Sequence, residues 1–190
     1  KLHSFKPLAY DQFLDDIKNP ALTFHVASIP AMIIAYNSEA IEEKNAPKSF
    51  QDLLADKYKG LVTGGSPLSS GTSFTTMAAL QSKFGWEYFK KLKSNNALLE
   101  GGNSAVMRRI QNKERPIGWV LLENVLRFQH DDPRIKVIYP SDGVITQFNT
   151  LAILKKSSPR TEVEKVANWI FSNDGQEAMI KSYMYSPLKD

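Results

Sequence analysis

Between Leu61 and Phe84 the hydrophobic period of the sequence changes, and this change specifies a strand followed by a helix. Leu61-Val62-Thr63 is a short apolar, β-branched run, while Phe74, Met77, Ala78 and Phe84 begin an apolar stripe at helical spacing. The segment between them, from Gly64 to Ser73, consists largely of glycine and hydroxyl residues. It places Ser70 to Ser73 at a helix N-terminus, where unpaired N–H groups and the positive end of the macrodipole suit a phosphate, phosphonate, sulfate or carboxylate. Gly71 lets a ligand approach the backbone, and Ser69, Ser70, Thr72 and Ser73 add hydroxyl donors. An ordinary serine-capped helix would use the same residues, so the loop alone leaves both readings open.

Similar alternation runs through the rest of the chain. A helix is expected over 8–18 through Leu8, Phe13, Leu14 and Ile17, stopped by Asn19-Pro20, and a buried strand over 31–36. Ser49 and Asp52 resemble a capping box ahead of Phe50, Leu53 and Leu54. After the helix at 73–84, Trp86, Phe89 and Leu92 define a second amphipathic helix. Gly101-Gly102-Asn103-Ser104 opens another helix carrying Val106 and Ile110, which repeats the anion-site logic of the first loop. Strands are expected at 117–122, 135–139 and 150–154, and helices at 123–128, from Thr161, and after a cap at Asp174. Strands alternating with helices predict an α/β protein with a substantially parallel sheet.

Composition removes several function classes. The 190 residues are 42% hydrophobic and 23% charged, as in globular proteins, and the net charge of +4 is scattered among acids with no nucleic-acid-binding motif. With no cysteine there is no disulfide framework and no thiolate chemistry. His3, His25 and His130 lack acidic neighbours at metal-ligand spacing. Ser70 lies in Ser-Ser-Gly-Thr, neither a nucleophile elbow nor a phosphate-binding Walker loop. No residue set proposes a reaction, so no enzymatic activity and no cofactor or metal is expected.

Several motifs occur in register: Ala-Pro-Lys-Ser-Phe-Gln-Asp-Leu-Leu (46–54), Lys-Tyr-Lys-Gly (57–60), Ser-Ser-Gly-Thr (69–72), Gly-Trp-Glu-Tyr-Phe-Lys-Lys-Leu (85–92) and Gly-Gly-Asn-Ser-Ala-Val (101–106). Ile-Gly-Trp (117–119), Tyr-Pro-Ser-Asp-Gly (139–143) and Asp-Gly-Gln-Glu (174–177) continue the series. Together they resemble the extracellular solute-binding proteins of ABC transporters, in the group associated with ferric iron, 2-aminoethylphosphonate and sugar phosphates. The resemblance implies a two-lobe, periplasmic-binding-protein-like (type 2) clamshell. Residues 47–143 would form the second lobe; 1–46 and 144–190 would form a first lobe lacking its opening βα units. Such a lobe would expose sheet edges and apolar faces, which predicts self-association or binding of an N-terminal fragment.

For function, the resemblance implies a protein of the periplasm or extracellular membrane surface, secreted or a lipoprotein. It would capture a small anionic solute and deliver it to a membrane permease. A sensory module of a signalling receptor and a ferric-iron-binding protein are the alternatives. The ligand-binding residues it implies are Ser69, Ser70, Gly71, Thr72, Asn103, Ser104, Trp119 and Glu123. Trp119 could equally fill the core, and Glu123 could pair with Arg127 at i+4. Ferric-binding relatives use a tyrosine pair shortly after a strand, and the matching stretch here, Trp119 to Asn124, contains none. Iron is therefore set below a small anion.

Overall fold

The computed structural model describes residues 1–157 and 160–189. In chain order the strands are β1 (Leu2–His3), β2 (His25–Ser28), β3 (Ala31–Asn37), β4 (Val62–Gly64), β5 (Leu98–Leu99), β6 (Ile117–Leu121), β7 (Ile135–Ile138), β8 (Ile145–Thr146), β9 (Asn149–Leu151) and β10 (Ile153–Leu154). The helices are α1 (Gly71–Ser94), α2 (Asn103–Gln111), α3 (Leu122–Gln129), α4 (Arg160–Ile170) and α5 (Asn173–Lys181). They fall into two compact units, Ala31–Gln147 and Lys1–Pro30 with Phe148–Asp190.

In the 31–147 unit, β3 is apolar on both sides and buried along its whole length. Met32, Ile34 and Tyr36 enter one core with Val62, Ile117, Trp119 and the α1 residues Leu80, Tyr88 and Leu92. Ala31, Ile33 and Ala35 enter the other, with Val106, Met107 and Ile110 of α2 and Val125 of α3. The result is a sheet between two helical layers, in which each fully buried isoleucine of β3 contributes about 1.5–3 kcal/mol relative to exposure. The strand order is β5-β4-β6-β3-β7, with β8 also pairing with β3.

This sheet is mixed, not substantially parallel as expected from the alternation. Strands β5, β4 and β6 are mutually parallel, but β3 runs antiparallel to β6, β7 and β8. The same pairing moves the expected boundary between units. The resemblance puts residues 31–46 in a first lobe, yet β3 is central to the sheet of the 31–147 unit, so the division falls at 30/31 and 147/148.

The helix expected over 8–18 is replaced by two short 3-10 turns, Tyr10–Gln12 and Asp15–Ile17. Phe13 between them is extended and bridges to Leu188, which a continuous helix would forbid. The cap of α5 is Ser172, whose Oγ accepts from Gly175 N, while Asp174 lies in the first turn. Only half of the Ser49 and Asp52 box forms: Ser49 Oγ accepts from Asp52 N at 3.0 Å, but Asp52 Oδ2 accepts from Lys48 N at 2.7 Å in place of Ser49 N. Asp142 adds to it by accepting from Phe50 N and Gln51 N. The two helices expected at 73–84 and from Trp86 appear as α1 broken at Gly85, whose φ of 73° and ψ of −177° are open essentially only to glycine.

In the other unit, β1 pairs with β10 and β2 with β9, both antiparallel. His25 is buried here against the rings of Phe5, Tyr10, Phe13 and Phe171. Its Nε2 donates to Phe5 O at 2.6 Å, whereas Nδ1 is buried with no partner. Burial therefore holds the imidazole pKa below its usual 6.5.

Two outcomes follow from these local constraints. A Cβ at residue 85 meets no atom within 4 Å, so Gly85→Ala tests backbone strain alone, and it should destabilise by about 1–3 kcal/mol in urea titration. For His25 the unfolded chain binds the proton more readily, so folding stability is complete above about pH 6.5 and falls as pH drops below it. Urea titrations at pH 7.5 and 5 should show this loss, and His25→Leu should diminish it; an unchanged pH slope in the variant would assign the loss to other groups.

Candidate functional site

The parallel strands β4, β5 and β6 end on one edge of the sheet, and each feeds a helix. Helix α1 packs on one face, whereas α2 and α3 pack on the other. Adjacent strands whose connections leave to opposite faces open a crevice beyond their carboxyl ends, the usual ligand position in open α/β sheets. The hydroxyl loop, the Gly101-Gly102 loop and the start of α3 converge on that edge.

Close approach at this edge requires glycine. A Cβ on Gly64 would stand 2.2 Å from the Trp119 ring, and one on Gly65 would stand 2.1 Å from Ser73 Oγ. The end of β4 therefore rests directly on the indole, and the two loops are stitched by Ser66 N donating to Gly101 O at 2.8 Å and Glu100 N to Gly64 O at 3.1 Å.

Ser70 is the N-cap of α1, with extended backbone, and its Oγ accepts from Ser73 N at 3.3 Å. The same Oγ lies 3.0 Å from Thr72 Oγ1, which accepts from Asn103 Nδ2 at 3.1 Å. Asn103 is thus not a cap: Gly102 holds that position without a side-chain bond, and the Asn103 amide reaches across to α1. Asn103 donates from α2 into the hydroxyl pair, and because a single proton joins Ser70 Oγ and Thr72 Oγ1, one hydroxyl proton of the pair is left for an incoming acceptor. A Cβ at Gly71 would meet nothing within 4 Å, so the backbone beside this pair is bare. Ser69 is exposed on the hydroxyl loop, and Ser104 is exposed in the first turn of α2.

Gln147 and Thr76 complete the arrangement, and neither was anticipated. Buried Gln147 donates through Nε2 to Thr72 O at 3.0 Å and lies 3.2 Å from Thr76 Oγ1, which itself donates to Thr72 O at 2.8 Å. Gln147 lies 75 positions from Thr72, so no local motif signals it. The sequence carried only the spacing of Thr76, one helical turn after Thr72.

Trp119, expected as a ligand contact, is instead a core residue at 1% exposure, covered by Gly64, with Nε1 unpartnered. Its faces are taken by the α1-side core, so stacking on a ligand is excluded in this arrangement. Glu123 is buried at the first turn of α3, and its Oε2 has no partner. Among the described residues Arg127 does not reach that oxygen, and its charge acts on the carboxylate only at a distance. Burial pushes its carboxyl above the usual range. Among the described residues, no group of three or more His, Cys, Asp or Glu is placed to hold a metal ion.

The sequence profile of the bacterial extracellular solute-binding protein matches residues 4–190. The chain belongs to that family. It is 24% identical over 187 residues to an uncharacterized protein of Haemophilus influenzae, covering 93% of this chain and 54% of that protein. Among solved structures, the periplasmic binding protein AfuA of Actinobacillus pleuropneumoniae, with fructose-6-phosphate bound, matches with a TM-score of 0.82 at 21% identity, over 98% of this chain and 62% of AfuA. Iron-bound HitA of Pseudomonas aeruginosa matches with a TM-score of 0.83 at 19% identity, over 99% of this chain and 64% of HitA. A two-component system protein that mediates signal transduction matches with a TM-score of 0.89 at 17% identity, over all of this chain and 64% of that one. These likenesses establish the periplasmic-binding-protein fold. The chain spans about half the length of the curated relative.

Glu123 offers a direct check on the electrostatics. An acid whose folded pKa is raised holds its proton longer when folded, so stability is lost as pH rises from the unfolded value near 4.5 through the folded one. Glu123→Gln should therefore raise the melting temperature at pH 8 and leave it unchanged at pH 4. An equal effect at both values would show that the side chain is felt through shape and not through charge.

Proposed function

We propose that this chain is the ligand-binding part of an extracellular solute-binding component of an ABC importer, with the first turn of α1 as the seat for a small anionic solute. The observation that carries the reading is the pre-ordered chain Asn103–Thr72–Ser70 beside the bare backbone of Gly71. These groups are fixed by the protein before any ligand arrives, so little ordering cost falls on binding. They offer neutral donors and helix-terminus N–H groups, which suit a phosphate ester, phosphonate or similar anion. The solute-laden protein would hand its cargo to a membrane permease in the periplasm or at the outer face of the membrane.

Likeness to a signal-transduction protein supports a second reading, in which the same binding event is reported to a receptor instead of leading to transport. Ferric iron is the weaker reading. HitA is iron-bound, but Leu122-Glu123-Asn124 after β6 carries no tyrosine where the family resemblance implies the metal-binding pair.

Calorimetric titration against sugar phosphates, phosphonates, sulfates, carboxylates and neutral sugars tests the seat. We expect binding confined to anions. Ser70→Ala and Thr72→Val should each weaken it about tenfold or more, since a hydrogen bond to a charged group is worth about 1.5–3 kcal/mol. Asn103→Ala should weaken it less, because that amide orders the hydroxyls instead of touching the ligand. Selective binding of neutral sugars, or anion binding indifferent to both hydroxyl variants, would remove the seat from this loop.

A further inference from the structure

Arg108 and Arg109 are neighbours in the last turn of α2, yet they stand in opposite environments. Arg108 is exposed, whereas the Arg109 side chain is only 14% exposed and turns its guanidinium inward. Taking a guanidinium out of water is costly unless acceptors meet its N–H groups. No close carboxylate does so here: Glu100 Oε2 lies 3.8 Å from Nη2 on a mostly exposed side chain, a pair of little strength. The close partners are neutral. Arg109 Nη1 donates to Glu100 O at 2.9 Å and to Thr63 Oγ1 at 3.2 Å, and the fully buried Thr63 hydroxyl donates in turn to Leu98 O at 3.0 Å.

These partners are the end of β4 and the loop that leads into Asn103. Glu100 is held on both sides, its N–H donating to Gly64 O at 3.1 Å and its carbonyl accepting from Arg109. Gly101 follows with a left-handed φ of 67°, its carbonyl accepting from Ser66 N, and a Cβ there would stand 2.8 Å from the Ala105 Cβ. Since Gly102 caps α2 without a side-chain bond, this loop decides where the helix begins and hence where Asn103 stands.

We infer that Arg109 is a positioning residue for the anion seat: by pinning the Glu100 carbonyl to β4, it holds Asn103 where its amide reaches Thr72 Oγ1. The inference rests on the seat proposed above and accounts for its order before a solute arrives. Among the described residues the hydrogen bonds of Arg109 go to Thr63 and Glu100, not to Ser70 or Thr72, so its effect passes through Asn103. Groups that act through one another in a single network do not contribute additively.

Nuclear magnetic resonance of the ligand-free 190-residue chain gives the first test. In the parent, the Asn103 Nδ2 protons should resonate away from those of a solvent-exposed asparagine, and Thr72→Val should abolish the difference. Arg109→Met keeps the apolar stem but no donor; it should reduce the difference likewise and speed amide exchange at Ser66 and Glu100. Arg109→Lys, which retains a charged donor, should restore both. Arg108→Met removes the same charge from the exposed neighbour and should change neither. Calorimetric titration with inorganic phosphate gives the second test. Arg109→Met should weaken binding about threefold or more, and combining it with Asn103→Ala should cost little beyond either change alone. An Asn103 amide unmoved by Arg109→Met overturns the inference. So does a loss of affinity that adds in full to that of Asn103→Ala, or an equal loss in Arg108→Met. A parent chain that binds neither phosphate nor any other anion would remove the seat itself, and the Asn103 resonances alone would then decide whether Arg109 sets the bond to Thr72.

Discussion

Two-sided burial of β3 is the constraint on which the larger unit depends. Seven consecutive residues with no solvent face must be covered by two helical layers and flanked by strands on both edges. Ile33 and Ile34 point to opposite cores, so neither layer can be lost without exposing one of them. Covering one face is the work of α1, and covering the other falls to α2 and α3. That division of labour drives the connections of β4 and β5 to opposite sides, and the crevice at their carboxyl ends is its geometric result.

Within the crevice, shape and polarity are set by different residues. Gly64 and Trp119 fix how closely the end of β4 lies on the core, while Ser70, Thr72, Asn103 and Gln147 fix where the hydrogen-bonding capacity points. Indole and hydroxyl loop are therefore one construction in two parts. Trp119 supports the floor on which the polar groups stand, and a substitution there would act on the loop without any direct contact with a solute.

Local signals in the sequence hold in some places and fail in others: the helix over 8–18 and the cap at Asp174 rest on neighbouring residues, yet two 3-10 turns and a cap at Ser172 stand in their place. Ser70 as a cap and the change of helix between residues 84 and 86 each rest on residues within a few positions of one another, and each is present, while the box at Ser49 is half formed. The direction of β3 was not legible, because an apolar run buried on both faces looks the same whichever way its neighbours run. This ambiguity made the sheet look parallel, while the boundary at 46/47 came from the resemblance and falls instead at 30/31. Trp119 in an apolar strand admitted two readings, and the deciding fact was a glycine 55 positions earlier that the strand pairing brings against the ring. The bond from Asn103 to Thr72 has no local signature, because it exists only once β5 lies beside β4.

Gln147 is the last residue of the 31–147 unit before the backbone leaves it, and its amide holds the Thr72 carbonyl in the first turn of α1. A side chain in that position makes the exit of the polypeptide and the start of the helix thermodynamic partners. Whatever free energy the ordering of one lends to the other is returned in equal measure, since linkage has no preferred direction. The backbone at 147/148 and the helix terminus at 70–72 are thus read through a single amide, so a disturbance at either end is registered at the other.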